Sequence, residues 1–102
     1  MNDTMTRNQE IAQTILAQLG GRRFIAMTGG RDFVAVRDGL RFRIPGRGIN
    51  SVTVRLDDSD TYTVEFHSIR QTTARLVHTA ADIYAEDLQR VFTDYTGLDT
   101  HL

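Results

Sequence analysis

Between Gly20 and Pro45 the chain reads GGRRFIAMTGGRDFVAVRDGLRFRIP, and this stretch limits the fold more than any other. Two turn-like steps, Gly29-Gly30 and Asp38-Gly39, separate short apolar runs. The central residues of a type I′ turn need positive φ, which glycine and aspartate supply. The stretch is therefore expected to form three strands of an antiparallel meander. With two-residue loops the registers follow by counting. Ala26 faces Phe33, Ile25 faces Val34, Phe24 faces Ala35, Ala35 faces Phe42 and Phe33 faces Ile44. Side-chain alternation then gathers Phe24, Ala26, Phe33, Ala35, Phe42 and Ile44 on one face as the core. The opposite face carries Ile25, Met27, Val34 and Val36 beside Arg23, Arg41 and Arg43. An apolar centre with a basic flank calls for cover, by a partner, a second copy or a helix of the same chain.

Around this stretch the other elements fall into place. Thr6 and Gln9 fit a capping box, Ile11, Ile15, Leu16 and Leu19 recur at helical spacing, and Gly20 supplies a stop, so a helix is expected over Arg7 to Leu19. After Pro45 the run Gly46-Arg47-Gly48 reads as a solvated loop with an arginine at its tip. It lacks the spacing of a phosphate-binding loop. Val52, Val54 and Leu56 alternate with polar residues, as do Tyr62, Val64 and Phe66. A three-residue loop, Asp58-Ser59-Asp60, puts both sets on one face and pairs Leu56 with Tyr62. The outward face of that hairpin holds Ser51, Thr53, Arg55, Thr63, Glu65 and His67, with Arg55 diagonal to Glu65. A further strand is expected over Thr72 to His78. A last helix follows, opened by a Thr79/Asp82 cap, carrying Ala80, Ile83, Tyr84, Leu88, Val91, Phe92 and Tyr95, and stopped by Gly97. The order is helix, five or six antiparallel strands, helix. That is an α+β two-layer sandwich in a single domain over residues 1–102.

The 102 residues are enough for one core, burying roughly 60 to 70% of the unfolded surface. Without cysteine, disulfides and thiolate chemistry are excluded. No apolar run approaches a membrane span and the start MNDTMTRNQE has no signal-peptide core, so no membrane partner and a cytoplasmic location are expected. The net charge of −1 conceals an asymmetry. Residues 1–50 hold eight Arg and four acids, whereas residues 51–102 hold four Arg and nine acids. Every basic residue other than histidine is arginine, the side chain suited to bidentate contact with carboxylate or phosphate.

The strings ILAQLGGRRFIAMTGGRDFV, LRFRIP, INSVTVRLDDSDTYTVEF and IYAEDLQRVFTDYTGLDT resemble a family of small uncharacterised proteins encoded by bacteriophages and integrative mobile elements. The likeness covers nearly the whole chain. It implies an accessory protein of a mobile element in a bacterial cytoplasm, with host-defence inhibition as one role, and it carries over no catalytic or binding residue.

The chemistry-bearing residues favour binding over catalysis. His67, His78 and His101 have no ligand-like spacing, and the turn acids Asp57, Asp58 and Asp60 lack a full calcium-loop pattern, so no metal and no cofactor are expected. Glu65 and His67 share one strand face, which would suit a general base beside a carboxylate, but no nucleophile can be assigned with them. The enzyme reading is the weakest. The expected site is the outer face of the meander: Arg31, Arg41, Arg43 and Arg47 around Ile25, Met27, Val34 and Val36. An arginine rim on an apolar centre matches a protein interface, with a protein partner or a second copy as occupant. The same arginines offer a second reading, salt-sensitive nucleic-acid binding. The resulting expectation is a non-enzymatic, protein-binding accessory module.

Overall fold

The computed structural model describes residues 6–100. In these residues the order is α1 (Arg7–Leu19), α2 (Arg22–Thr28), β1 (Arg31–Val36), β2 (Gly39–Arg43), β3 (Ser51–Leu56), β4 (Tyr62–Arg70), β5 (Thr73–Ile83), a 3-10 turn (Ala85–Asp87) and α3 (Leu88–Thr96). The strands form one antiparallel sheet in the order β1-β2-β3-β4-β5, a pure meander. The helices collect on one side of it, so the α+β two-layer architecture expected from the sequence is the one observed.

Helix α1 starts as its sequence dictates. The Gln9 N–H donates to Thr6 Oγ1 at 3.2 Å and the Thr6 N–H donates to Gln9 Oε1 at 3.0 Å, a reciprocal cap that satisfies two otherwise orphaned donors. Ile11, Ala12, Ile15 and Leu19 are buried against β1 and β2.

The first hairpin expected from the sequence is not formed. Arg22–Thr28 is a helix, and Gly29, at φ 72°, is its C-cap, with its N–H on the Ile25 carbonyl at 2.9 Å. The pairing of Ala26 with Phe33 and of Phe24 with Ala35 therefore does not exist. Arg, Ala and Met are good helix formers, and Phe24 and Thr28, one helical turn apart, both reach the interior. Thr28 fastens the turn, its Oγ1 donating to the Phe24 carbonyl at 2.7 Å and accepting from the Gly30 N–H at 3.2 Å.

The second hairpin exists with its turn moved by one residue. Val36 pairs with Gly39 and Ala35 with Leu40, so Arg37 and Asp38 are the turn residues, and Asp38 takes the positive φ of 55°. Gly39 serves a different need, since a Cβ there would run into the Val54 carbonyl oxygen of β3. The shift preserves the parity of the pairing. Leu40, Phe42 and Ile44 still face the core, and Phe33 packs on it from β1. Ala26 is exposed on α2 and Ala35 is exposed on β1, so neither joins the core.

The third hairpin matches expectation. Leu56 pairs with Tyr62, and Asp57 and Thr61 close the three-residue loop with an N–H···O bond of 2.8 Å. Strand β5 runs further than expected, to Ile83. Thr79 sits opposite Glu65 in the ladder and Asp82 has φ 58°, so these two do not cap a helix. Ala80 and Ile83 belong to the strand, Tyr84 follows it, and α3 starts only at Leu88. Gly97, at φ 77°, ends α3 as expected. As an edge, β5 has two register breaks, each inserting one extra residue opposite β4, a device that twists a free edge away from unwanted pairing.

An aromatic cluster joins the two layers. Phe24 of α2 meets Phe42 of β2 edge-on at 5.4 Å and Phe92 of α3 at 5.0 Å, while Phe33 stacks on Phe42 at 5.1 Å. Valines 52, 54 and 64 with Phe66 complete the floor.

Candidate interaction face

The sheet has a second face, and among the described residues no helix lies on it. Ladder pairing places its side chains in rows across the strands. One row runs Arg31, Arg43, Ser51, His67 and Leu76; the next runs Val34, Arg41, Thr53, Glu65 and Thr79. No phenylalanine or tyrosine occurs in either row.

The site expected from the sequence is thereby divided. Arg41, Arg43, Val34 and Val36 stand together on this face, and Arg31 enters it at the start of β1. Ile25 and Met27 do not: both belong to α2 in the helix layer, and Ile25 packs on the core. Arg23 is likewise on α2. Arg47 is exposed on the connection between β2 and β3, where its carbonyl accepts from Arg70 Nη2 at 3.2 Å.

The arginines on the face differ in what they already hold. Arg31 Nε lies 3.6 Å from Asp32 Oδ2. Arg43 Nε donates to the Asn50 carbonyl at 3.3 Å. Arg55 is ion-paired to Glu65 across the diagonal anticipated from the sequence. Arg41 is exposed, and its guanidinium makes no hydrogen bond or ion pair with the described residues.

Two residues expected on the outward face of the hairpin lie on it but are enclosed. Ser51 is 1% exposed and Thr53 is 4% exposed, although both point to the uncovered face. Small side chains on β3 lie between longer ones on β2 and β4, whose strands are about 10 Å apart. Arg41, Arg43, His67 and Ile69 rise on either side and make β3 the floor of a trough. Two clefts of about 230 and 220 Å³ share Arg41, Ser51 and Ile69 in their walls. Neither Ser51 nor Thr53 uses its hydroxyl in a hydrogen bond with the described residues. Since no fully enclosed side-chain oxygen lacks a partner, both hydroxyls open onto the trough.

At the far side, Leu76 of β5 is 52% exposed, and Val34 of β1 is 45% exposed. Apolar contacts therefore border the polar trough on both edges of the sheet. One residue the sequence reading passed over holds the trough in shape. Asn50 bridges two strands like a piece of backbone, its Nδ2 donating to the Ile69 carbonyl and its Oδ1 accepting from the Ile69 N–H, each at 2.8 Å.

Ser51 and His67 are direct cross-strand partners, but no hydrogen bond joins Ser51 to His67 or His67 to Glu65 among the described residues. No group of three or more His, Asp or Glu side chains is gathered there for a metal ion. A further cleft of about 430 Å³ lies in the other layer, between Ala12 and Leu16 of α1 and Phe33 and Leu40 of the sheet. No described helix is long and apolar enough to cross a membrane. Compared with protein-family models, curated proteins and solved structures, the chain matches none.

Proposed function

We propose that this chain is a small non-enzymatic accessory module of a phage or mobile element, working in the bacterial cytoplasm, that engages a protein partner through the bare face of its sheet. The observation that carries the reading is a sheet face on which, among the described residues, no helix lies, with Val34 and Leu76 exposed at its borders and arginines between them. Apolar borders with arginine are the composition of an interface. Nucleic-acid binding is the less favoured reading for a specific reason. The face presents no phenylalanine or tyrosine on which bases could stack, and Arg31, Arg43 and Arg55 are already engaged within the chain.

The test is capture from a bacterial lysate with the wild-type chain and with Val34→Asp/Leu76→Asp, both checked for equal thermal unfolding. A partner held by the wild type and lost from the variant supports the reading. Equal retention by the variant overturns it. Binding of generic DNA or RNA that falls steeply between about 50 and 300 mM salt and disappears in Arg41→Ala/Arg43→Ala would replace it with the nucleic-acid reading.

A further inference from the structure

The trough over β3 has a more specific chemistry than the face as a whole. Its floor is formed by two largely buried residues, Ser51 and Thr53, whose hydroxyls face the trough and have no partner in the described chain. Both hydroxyls open onto the trough, so in the free protein they are left to water, and a ligand that enters can take up both hydrogen-bonding groups in its place. The wall beside them includes Arg41, which is directly opposite Thr53 in the ladder and is likewise unpaired. Directly opposed Cβ atoms lie about 4.5 to 5.5 Å apart, so the guanidinium and both hydroxyls can converge on one group.

The charge of that group follows from what the other side chains hold. Glu65 is neutralised by Arg55, and Arg43 is committed to the Asn50 carbonyl. Among the described residues lining the trough, Arg41 remains as the one guanidinium without a partner. Arg41 supplies one positive charge and Arg43, whose Nε holds only a neutral carbonyl, keeps another, so the trough favours an anion. Carboxylate also matches the planar fork of arginine, with two parallel N–H···O bonds. We infer that the trough is a carboxylate-binding subsite, formed by Arg41, Ser51 and Thr53, that receives an Asp or Glu side chain of the protein partner. The inference rests on the proposed binding reading and adds to it the chemistry of the contact.

The test is a titration followed through the backbone amide resonances of the protein, with N-acetyl-glutamate as probe, N-acetyl-glutamine as neutral control and inorganic phosphate as the competing anion. The expected result is a saturable shift at Arg41, Ser51 and Thr53 with N-acetyl-glutamate. It weakens about tenfold or more in Arg41→Gln, and weakens again in Ser51→Ala/Thr53→Val, a variant that keeps the guanidinium. No saturable shift, an equal response to the glutamine control, an unchanged response in Arg41→Gln, or tighter binding of phosphate would each overturn it. The two levels separate cleanly. If N-acetyl-glutamate does not bind while lysate capture is still lost in Val34→Asp/Leu76→Asp, only the carboxylate subsite falls. If capture is unaffected by that double variant, the binding reading falls as well.

Discussion

Single residues on the open face fall into two kinds, those that hold the chain together and those that are idle in the free protein. Asn50 is of the first kind, since its amide makes two hydrogen bonds to the backbone of Ile69. Asn50→Ala leaves both backbone groups to find other partners and is expected to cost about 2 to 3 kcal/mol in urea unfolding. Thr53 is of the second kind. Replacing it by the isosteric valine removes a hydroxyl that bonds to nothing in the described chain, so Thr53→Val is expected to change stability by less than about 1 kcal/mol. A large loss would show that the hydroxyl has a structural use. Tyr62 brings a pH dependence. Its hydroxyl donates to Gln18 Oε1 at 2.7 Å, and burial, reinforced by the charge of Asp60, raises its phenol above the ordinary 10.0. The unfolded chain then loses this proton at a lower pH than the folded one. The contribution is intact below pH 10.0 and is lost as pH climbs toward the raised folded value. Tyr62→Phe is expected to flatten the alkaline decline of stability between about pH 9 and 11, which urea titrations across that range would measure. At this scale alternation made Phe42, Val52, Val64 and Phe66 legible as core. It could not reveal the enclosure of Ser51 and Thr53, because parity says which face a side chain takes and not how tall its neighbours are.

For whole elements, the legible ones are those whose signals agree with one another. In α1 the cap, the apolar spacing and the closing glycine all concur, and the hairpin of β3 and β4 is fixed by parity together with loop length. The segment Phe24 to Met27 is four apolar residues long, too short for period to tell strand from helix, and Gly29-Gly30 serves a helix end as well as a hairpin. This miss moved Ile25 and Met27 from the expected site to the helix layer. Thr79 and Asp82 misled in a similar way. Their spacing fits a cap, but the ladder with β4 extends through them, and tertiary pairing outweighed the local signal. Gly39 is a case where the residue was read correctly and its reason was not. Its backbone carries no positive φ; the close approach of β3 demands glycine. Gly39→Ala is therefore expected to disrupt pairing of β2 with β3, seen as loss of amide protection in both strands. The equivalent change at Gly48, where an added Cβ meets nothing within 4 Å, is expected to be nearly silent.

Among the described residues the molecule is a sheet with one face roofed and the other bare, and its stability and its proposed use lie on opposite sides. Phe92 is the tie between the layers, touching Phe24 and Phe42. Phe92→Ala is expected to destabilise the fold by about 3 to 5 kcal/mol while leaving the pairing of the bare face intact in the folded fraction, a separation that thermal unfolding and probe titration would show together. The meander also sets an expected order of assembly. Every strand pairs with its neighbour in sequence, so the sheet forms through short, inexpensive loop closures. The helix layer does not. It is closed where Gln89 of α3 donates to the Leu19 carbonyl, 70 residues earlier. A chain interrupted before Leu88 would thus own every strand, α1 and α2, but lack α3 and with it Phe92 against the aromatic cluster. Such a fragment shows apolar surface to proteases and to other copies, and is expected to be cleared. The helix that arrives last is thus expected to decide whether the folded sheet persists, so that a lasting population of the open sheet face is expected only from chains completed through Phe92.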